Sequence, residues 1–208
     1  MVCGATHIPT TMKSLITTTL VGLFSLTAFA ADPGKPAPEF TGKTVKAEDV
    51  SLSSLKGKVV VLEWVNYDCP FVKKHYSSGN LPKLQETYTA KGVVWITVNS
   101  SAEGKQGYLD AAKLAERSAK EGNKASHIVV DSSGTIGKAY GAKVTPHLYI
   151  INKEGVLAYN GAIDSKATTK TEDIESADKL FATALDAVLD GKEVANAKNQ
   201  PYGCGVKY

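Results

Sequence analysis

The chain has 208 residues, with 24 lysines and arginines against 21 acids and a formal net charge of +3. A hydrophobic share of 43% and a charged share of 22% suit one folded domain with extensions and exclude global disorder. So small a charge, with no basic stripe interleaved with aromatics, excludes a nucleic-acid surface. Three cysteines are too few for a disulfide scaffold and lack the paired spacing of a structural zinc site.

The first element is an address. Lys13 precedes an apolar run from Leu15 to Ala30 that ends in Ala28-Phe29-Ala30, a small-x-small cleavage pattern. Residues 1–30 therefore read as a signal peptide, with Met12 as an alternative start. The run is short for a membrane span. Export implies a periplasmic or secreted protein with no stable membrane association after cleavage. Cleavage removes Cys3 and leaves Cys69 and Cys204 in a compartment that permits disulfides.

Residues 31–39 carry three prolines and read as an extended leader. Residues 51–57 read as a turn. Residues 58–65 (KVVVLEWV) and 93–99 (VVWITVN) form near-continuous apolar runs that suit strands buried on both faces. Between them, residues 70–91 are helical in composition, with an interruption at residues 77–80. The spacing predicts a helix over 103–121, a strand over 127–131 and a short helix over 135–140. Residues 147–152 and 156–160 form a hairpin around Lys153-Glu154-Gly155. An amphipathic helix over 175–190 closes the domain, and residues 192–208 form a polar tail without periodicity. Alternating strands and helices followed by a hairpin predict an α/β fold with a mixed central sheet flanked by helices, one domain over 34–190.

Cys69 falls between a buried strand and a helix, with Pro70 at the first helical position. A helix start aims free N–H groups and a partial positive charge at the sulfur, which favours the nucleophilic thiolate. Lys73, four residues on, adds positive charge on the same face, while Asp68 opposes it. The competing reading is a buried, inert cysteine. Cys204 sits in the glycine-flanked tail segment Gly203-Cys204-Gly205. It reads as a resolving cysteine that converts an oxidised Cys69 into a disulfide, as one half of a structural bridge, or as an intermolecular partner. No GxGxxG, GxSxG or HExxH pattern is present, and no cofactor is expected.

The leader GKPAPEF, the segment VSLSSLKGKVVVLEWVNYDCPFV and the later VTPHLYIIN together resemble the thioredoxin superfamily, specifically its redoxin, peroxiredoxin-like (AhpC/TSA) branch, from about Gly34 to Asn160. The resemblance implies a thioredoxin-like fold. It also implies a cis Pro146 after Thr145, facing Cys69, and a buried acid at Glu63 that assists proton transfer. An edge position facing water is the other reading of Glu63. The chain departs from the family at three places. Val72 stands where thioredoxins carry a second cysteine, Asn66 where peroxiredoxins carry a threonine, and Pro146 where they carry an arginine. The only arginine is Arg117.

The expected function is an exported thiol-dependent redox protein, either a thiol–disulfide oxidoreductase or a peroxiredoxin-like antioxidant. Its partners are a peroxide or disulfide substrate and an external thiol reductant. Two alternatives remain. One is a Sco-like copper-binding protein that uses Cys69, His147 and Cys204 as soft ligands. The other is a degenerate redoxin fold acting as a binding module.

Overall fold

Two consecutive short strands, β1 (Thr41–Thr44) and β2 (Asp49–Ser51), open the domain, and the sequence reading had placed neither. A computed structural model of the protein describes residues 1–4 and 31–208, so the expected signal peptide falls outside the described residues apart from its first four. The remaining elements are β3 (Val60–Trp64), α1 (Pro70–Ser77), α2 (Asn80–Ala90), β4 (Val94–Asn99), α3 (Ala111–Lys120), β5 (His127–Val130), α4 (Thr135–Tyr140), β6 (Val144–Thr145), β7 (His147–Ile151), β8 (Leu157–Gly161), α5 (Asp173–Ser176), α6 (Leu180–Leu189) and β9 (Cys204–Gly205). No helix among the described residues is long and apolar enough to cross a membrane.

Seven strands form the central sheet in the order β2-β1-β5-β4-β3-β7-β8. Strands β3, β4 and β5 run parallel, and β7 and β8 run antiparallel on one side. β3 is central, and all five of its residues are buried. Alternation sends its side chains to two cores. Val61 and Val65 join Trp95, Leu148, Phe181 and Leu185 beneath the α1, α2 and α6 face. Val60, Leu62 and Trp64 join Ile96, Tyr149 and Tyr140 on the other. Each fully buried large apolar side chain contributes about 1.5–3 kcal/mol, so β3 is a fixed base for the residues that follow it.

Two predicted helices are shorter than the periodicity suggested. Residues 103–110 are a loop, because Gly104 and Gly107 adopt left-handed φ values of 75° and 86°. α3 starts only after Asp110, whose side chain caps it by accepting from the Lys113 amide at 2.9 Å. The closing helix is divided because Ala177 is extended (φ −82°, ψ 143°).

The tail is not a loose appendage. Lys198 bridges to Asn160, and the Asn199 side chain accepts from the Ala162 amide and donates to Tyr159. Beyond it, β9 pairs antiparallel with β6, setting Thr145 opposite Cys204 and Val144 opposite Gly205. Two further backbone bonds, from the Val206 amide to Lys143 and from the Ala102 amide to Lys207, continue the attachment.

Candidate redox site

The end of β3 fixes the turn that delivers Cys69. Asn66 shapes it twice: its carbonyl accepts from the Cys69 amide at 2.9 Å, and its side-chain oxygen accepts from the Asp68 amide at 3.0 Å. The Asn66 amide group donates to Gln106 at 3.0 Å. Gly107 lies so close that a β-carbon there would fall 2.3 Å from the Asn66 side chain. Asn66 is therefore a turn and loop anchor whose side-chain polar atoms are taken up by the Asp68 amide and Gln106.

Cys69 is the N-cap residue of α1, and Pro70 occupies the first turn without any loss of a backbone donor. The sulfur has 0% exposure, and its S–H donates to the Thr145 carbonyl at 3.1 Å. The Thr145–Pro146 peptide bond is cis. The Thr145 hydroxyl is buried and has no partner beside the thiol. Burial pushes the Cys69 thiol up. In the thiolate form, donation from the Cys204 side chain, the Val72 and Cys204 backbones and the Thr145 side chain outweighs it, so the net shift is below the ordinary 9.0. Val72 supplies the free N–H of the helix start. Once the proton leaves, the orphaned Thr145 hydroxyl gains an acceptor.

Cys204 behaves in the opposite way. Burial, its hydrogen bond to Cys69 and repulsion from the Cys69 thiolate together push it up to about 11. It is the more accessible of the two, and both are free thiols. The site is thus two thiols held side by side by one strand, Cys69 the more readily deprotonated, with Thr145 shared between them.

Several expected contributors lie elsewhere. Lys73 is exposed and absent from the groups acting on the sulfur, whereas its neighbour Lys74 is buried. Glu63 does not face water at an edge. It is fully buried in the central strand and accepts three bonds of 2.8 Å from Tyr76, Gln85 and Trp95. Burial pushes its carboxyl up, partly offset by those donors, and none of its recorded partners is a sulfur.

His147 does not converge with the cysteines. Its Nε2 donates to Asn160 at 2.8 Å, while its Nδ1 accepts from the Lys143 amide and lies 3.2 Å from the Tyr149 hydroxyl. Burial lowers it to about 4. With both ring nitrogens committed, the Cys69–His147–Cys204 copper site is not formed, and no cluster of metal-ligating side chains is found among the described residues.

Arg117, the chain's only arginine, has a structural role that its position in α3 does not announce. It donates to the Tyr67 carbonyl at 3.2 Å and pairs with Asp68 at 3.4 Å, the two residues preceding Cys69. It therefore clamps the turn and neutralises the acid nearest the sulfur. Its position as the only arginine was the available signal, but nothing in the spacing named its target.

A sulfur at a strand–helix junction, opposite a cis-proline strand on a mixed sheet, defines a thioredoxin-like thiol redox protein. The Redoxin family model matches residues 32–180, and the chain belongs to that family. Among solved structures, an uncharacterised conserved protein from Geobacillus kaustophilus is 26% identical with a TM-score of 0.71, over 86% of this chain and 93% of that one. A hypothetical protein from Sinorhizobium meliloti is 22% identical with a TM-score of 0.71, over 86% and 96%. A putative thiol:disulfide interchange protein DsbE from Chlorobium tepidum shares the fold at 21% identity and a TM-score of 0.53, over 77% and 99%. A comparison with curated proteins gave no match. Family, fold and cysteine pair together support a thiol redox function.

Proposed function

We propose that the protein is an exported two-cysteine thiol–disulfide oxidoreductase in which Cys69 is the nucleophile and Cys204 the resolving thiol. The observation that carries this reading is the Thr145–Cys204 pairing, which brings the tail thiol to the strand whose carbonyl holds the Cys69 sulfur. The Cys69 thiolate attacks one sulfur of a substrate disulfide, forming a mixed disulfide and releasing one thiolate. That step removes the negative charge that had held Cys204 in its thiol form. Cys204 then attacks the Cys69 sulfur, expels the second substrate thiolate and passes its proton to it. The protein dithiol becomes a disulfide, and the substrate disulfide becomes two thiols. An external thiol reductant, entering most directly at the more accessible Cys204, expels Cys69 as the better leaving group and resets the pair.

A disulfide is favoured over a peroxide as substrate because Asn66 is directed to Gln106 and the Arg117 guanidinium to Tyr67 and Asp68. Neither is recorded at the sulfur, where it would stabilise a departing hydroxide. The signal-peptide pattern of residues 1–30 supports a periplasmic or secreted setting.

The test gives reduced protein oxidised glutathione or hydrogen peroxide in parallel, followed by an acid quench, alkylation and peptide mass analysis. The disulfide is expected to yield the Cys69–Cys204 bridge at the faster rate. Faster bridging by peroxide would move the assignment to a peroxidase. Two thiols that stay alkylatable under both oxidants would leave an inert binding module.

A further inference from the structure

The helix that presents Cys69 also carries a second, buried polar cluster one turn further on. Phe71, Lys74 and His75 share a face of α1 at i, i+3 and i+4. Lys74 and His75 have no exposed side-chain surface, and both lie 3.8 Å from Asp164 Oδ2, an oxygen with no hydrogen-bond partner. The other oxygen, Oδ1, accepts from the Tyr202 hydroxyl at 2.5 Å. His75 Nδ1 accepts from the Asn80 amide group at 2.9 Å, so Nε2 carries the proton and donates to Tyr202 at 3.1 Å. The Tyr202 ring packs on Phe71 at 5.7 Å between centroids and lies the same distance from the Lys74 ammonium. Tyr202 is two residues before Cys204, and Gly203 between them passes the Thr145 carbonyl so closely that a β-carbon would meet it at 2.0 Å.

From this we infer that Tyr202, seated on Asp164, His75 and Phe71, is a latch whose hydroxyl positions Cys204 over Cys69 and sets the rate at which the pair closes. The inference rests on the reading of Cys204 as the resolving thiol. One helix holds the nucleophile at its N-cap and the latch seat on its next turn, so the two sulfurs are registered against a single rigid element. A tail of ordinary flexibility would sample many positions, and each anchoring contact raises the fraction of time that Cys204 spends in attacking position. The latch also packs over the site, since Tyr202 and Cys204 lie against the core cluster that holds Cys69, whose exposure is 0% with the tail seated. A substrate disulfide therefore enters when the latch opens and is resolved when it closes. Tyr202, Asp164 and His75 are positioning residues, and their hydrogen bonds run among themselves rather than to a sulfur.

This gives the two chemical steps opposite responses to the same change. Tyr202→Phe removes only the hydroxyl and keeps the ring against Phe71. The bond lost is one to a carboxylate, a class whose removal slows closure about tenfold or more. The experiment mixes reduced wild-type and Y202F full chain with oxidised glutathione, quenches with acid, and follows the Cys69–glutathione adduct and the Cys69–Cys204 bridge by intact mass. The expected result for Y202F is adduct formation at least as fast as in wild type, bridge formation about tenfold slower, and an adduct that accumulates. The bridge equilibrium against glutathione should weaken by a similar factor. Hydrogen exchange at the Val206 amide, bonded to Lys143, should quicken while the β3 and β4 amides stay unchanged. Global loosening would quicken all of them and overturn the latch. Equal closure rates in the two proteins would also overturn it. A wild-type adduct that never closes to a bridge would instead defeat the resolving role of Cys204.

Discussion

The two halves of the redox site are held in different ways. Cys69 is fixed by the core: it follows the fully buried β3, caps α1 and faces a strand of the central domain. Cys204 is fixed by a two-residue ladder, a few side-chain hydrogen bonds and the Tyr202–Phe71 ring contact, beyond the span that the Redoxin model matches. Cys69 therefore keeps its place as long as the domain is folded. Cys204 occupies a site from which it can be released locally, since segments with few buried apolar contacts open at far lower cost than the core.

The largest expected effect comes from the fixed half. Cys69→Ser should abolish adduct and bridge formation entirely, as read by intact mass after an oxidant challenge; residual turnover would place the chemistry on Cys204.

Next in size is Glu63→Leu, which strands three buried donors at Tyr76, Gln85 and Trp95. About 3 kcal/mol or more of stability should be lost, measured by urea unfolding. The pH test is Glu63→Gln. Burial raises the Glu63 carboxyl in the folded state above 4.5. Its contribution is therefore fully present below the unfolded value and is lost as pH rises through the folded one. Wild type should lose stability relative to Glu63→Gln across that rise. A flat difference would mean that the three donors fully offset burial.

The movable half should respond more gently. Cys204→Ala removes the side-chain donor that lowers Cys69 and keeps the backbone N–H at that position, so the pH at which Cys69 alkylation is half-maximal should move upward. An unchanged profile would assign the lowering to the α1 N-terminus, Thr145 and the backbone N–H at residue 204.

The smallest effect is expected for Arg117→Gln, at about 0.2–1 kcal/mol from a partly exposed ion pair. Cys69 reactivity should fall slightly because Asp68 is no longer neutralised. Its electrostatic part should vanish at high salt.

The sequence carried the α/β alternation because β3 and β4 are near-continuous apolar runs and the glycine turns between elements are local signals. It also placed Cys69 at a helix start, since Pro70 marks that position within one residue. The tail could not be read, because its attachment uses backbone pairing and single side chains such as Asn199 and Tyr202. These form no period and find their partners far away in the chain. Glu63 was legible as an anomaly within an apolar run, but its three donors come from α1, α2 and β4 and meet only when those elements pack.

What the chain determined alone was its periodicities, its breakers and the local environment of one sulfur, all properties of neighbouring residues. Which lysine turns inward, where Arg117 is directed, how His147 is consumed and that Cys204 returns to Cys69 were decided by tertiary structure. Each of these depends on groups separated by many residues, and burial forces every one of them to find a partner.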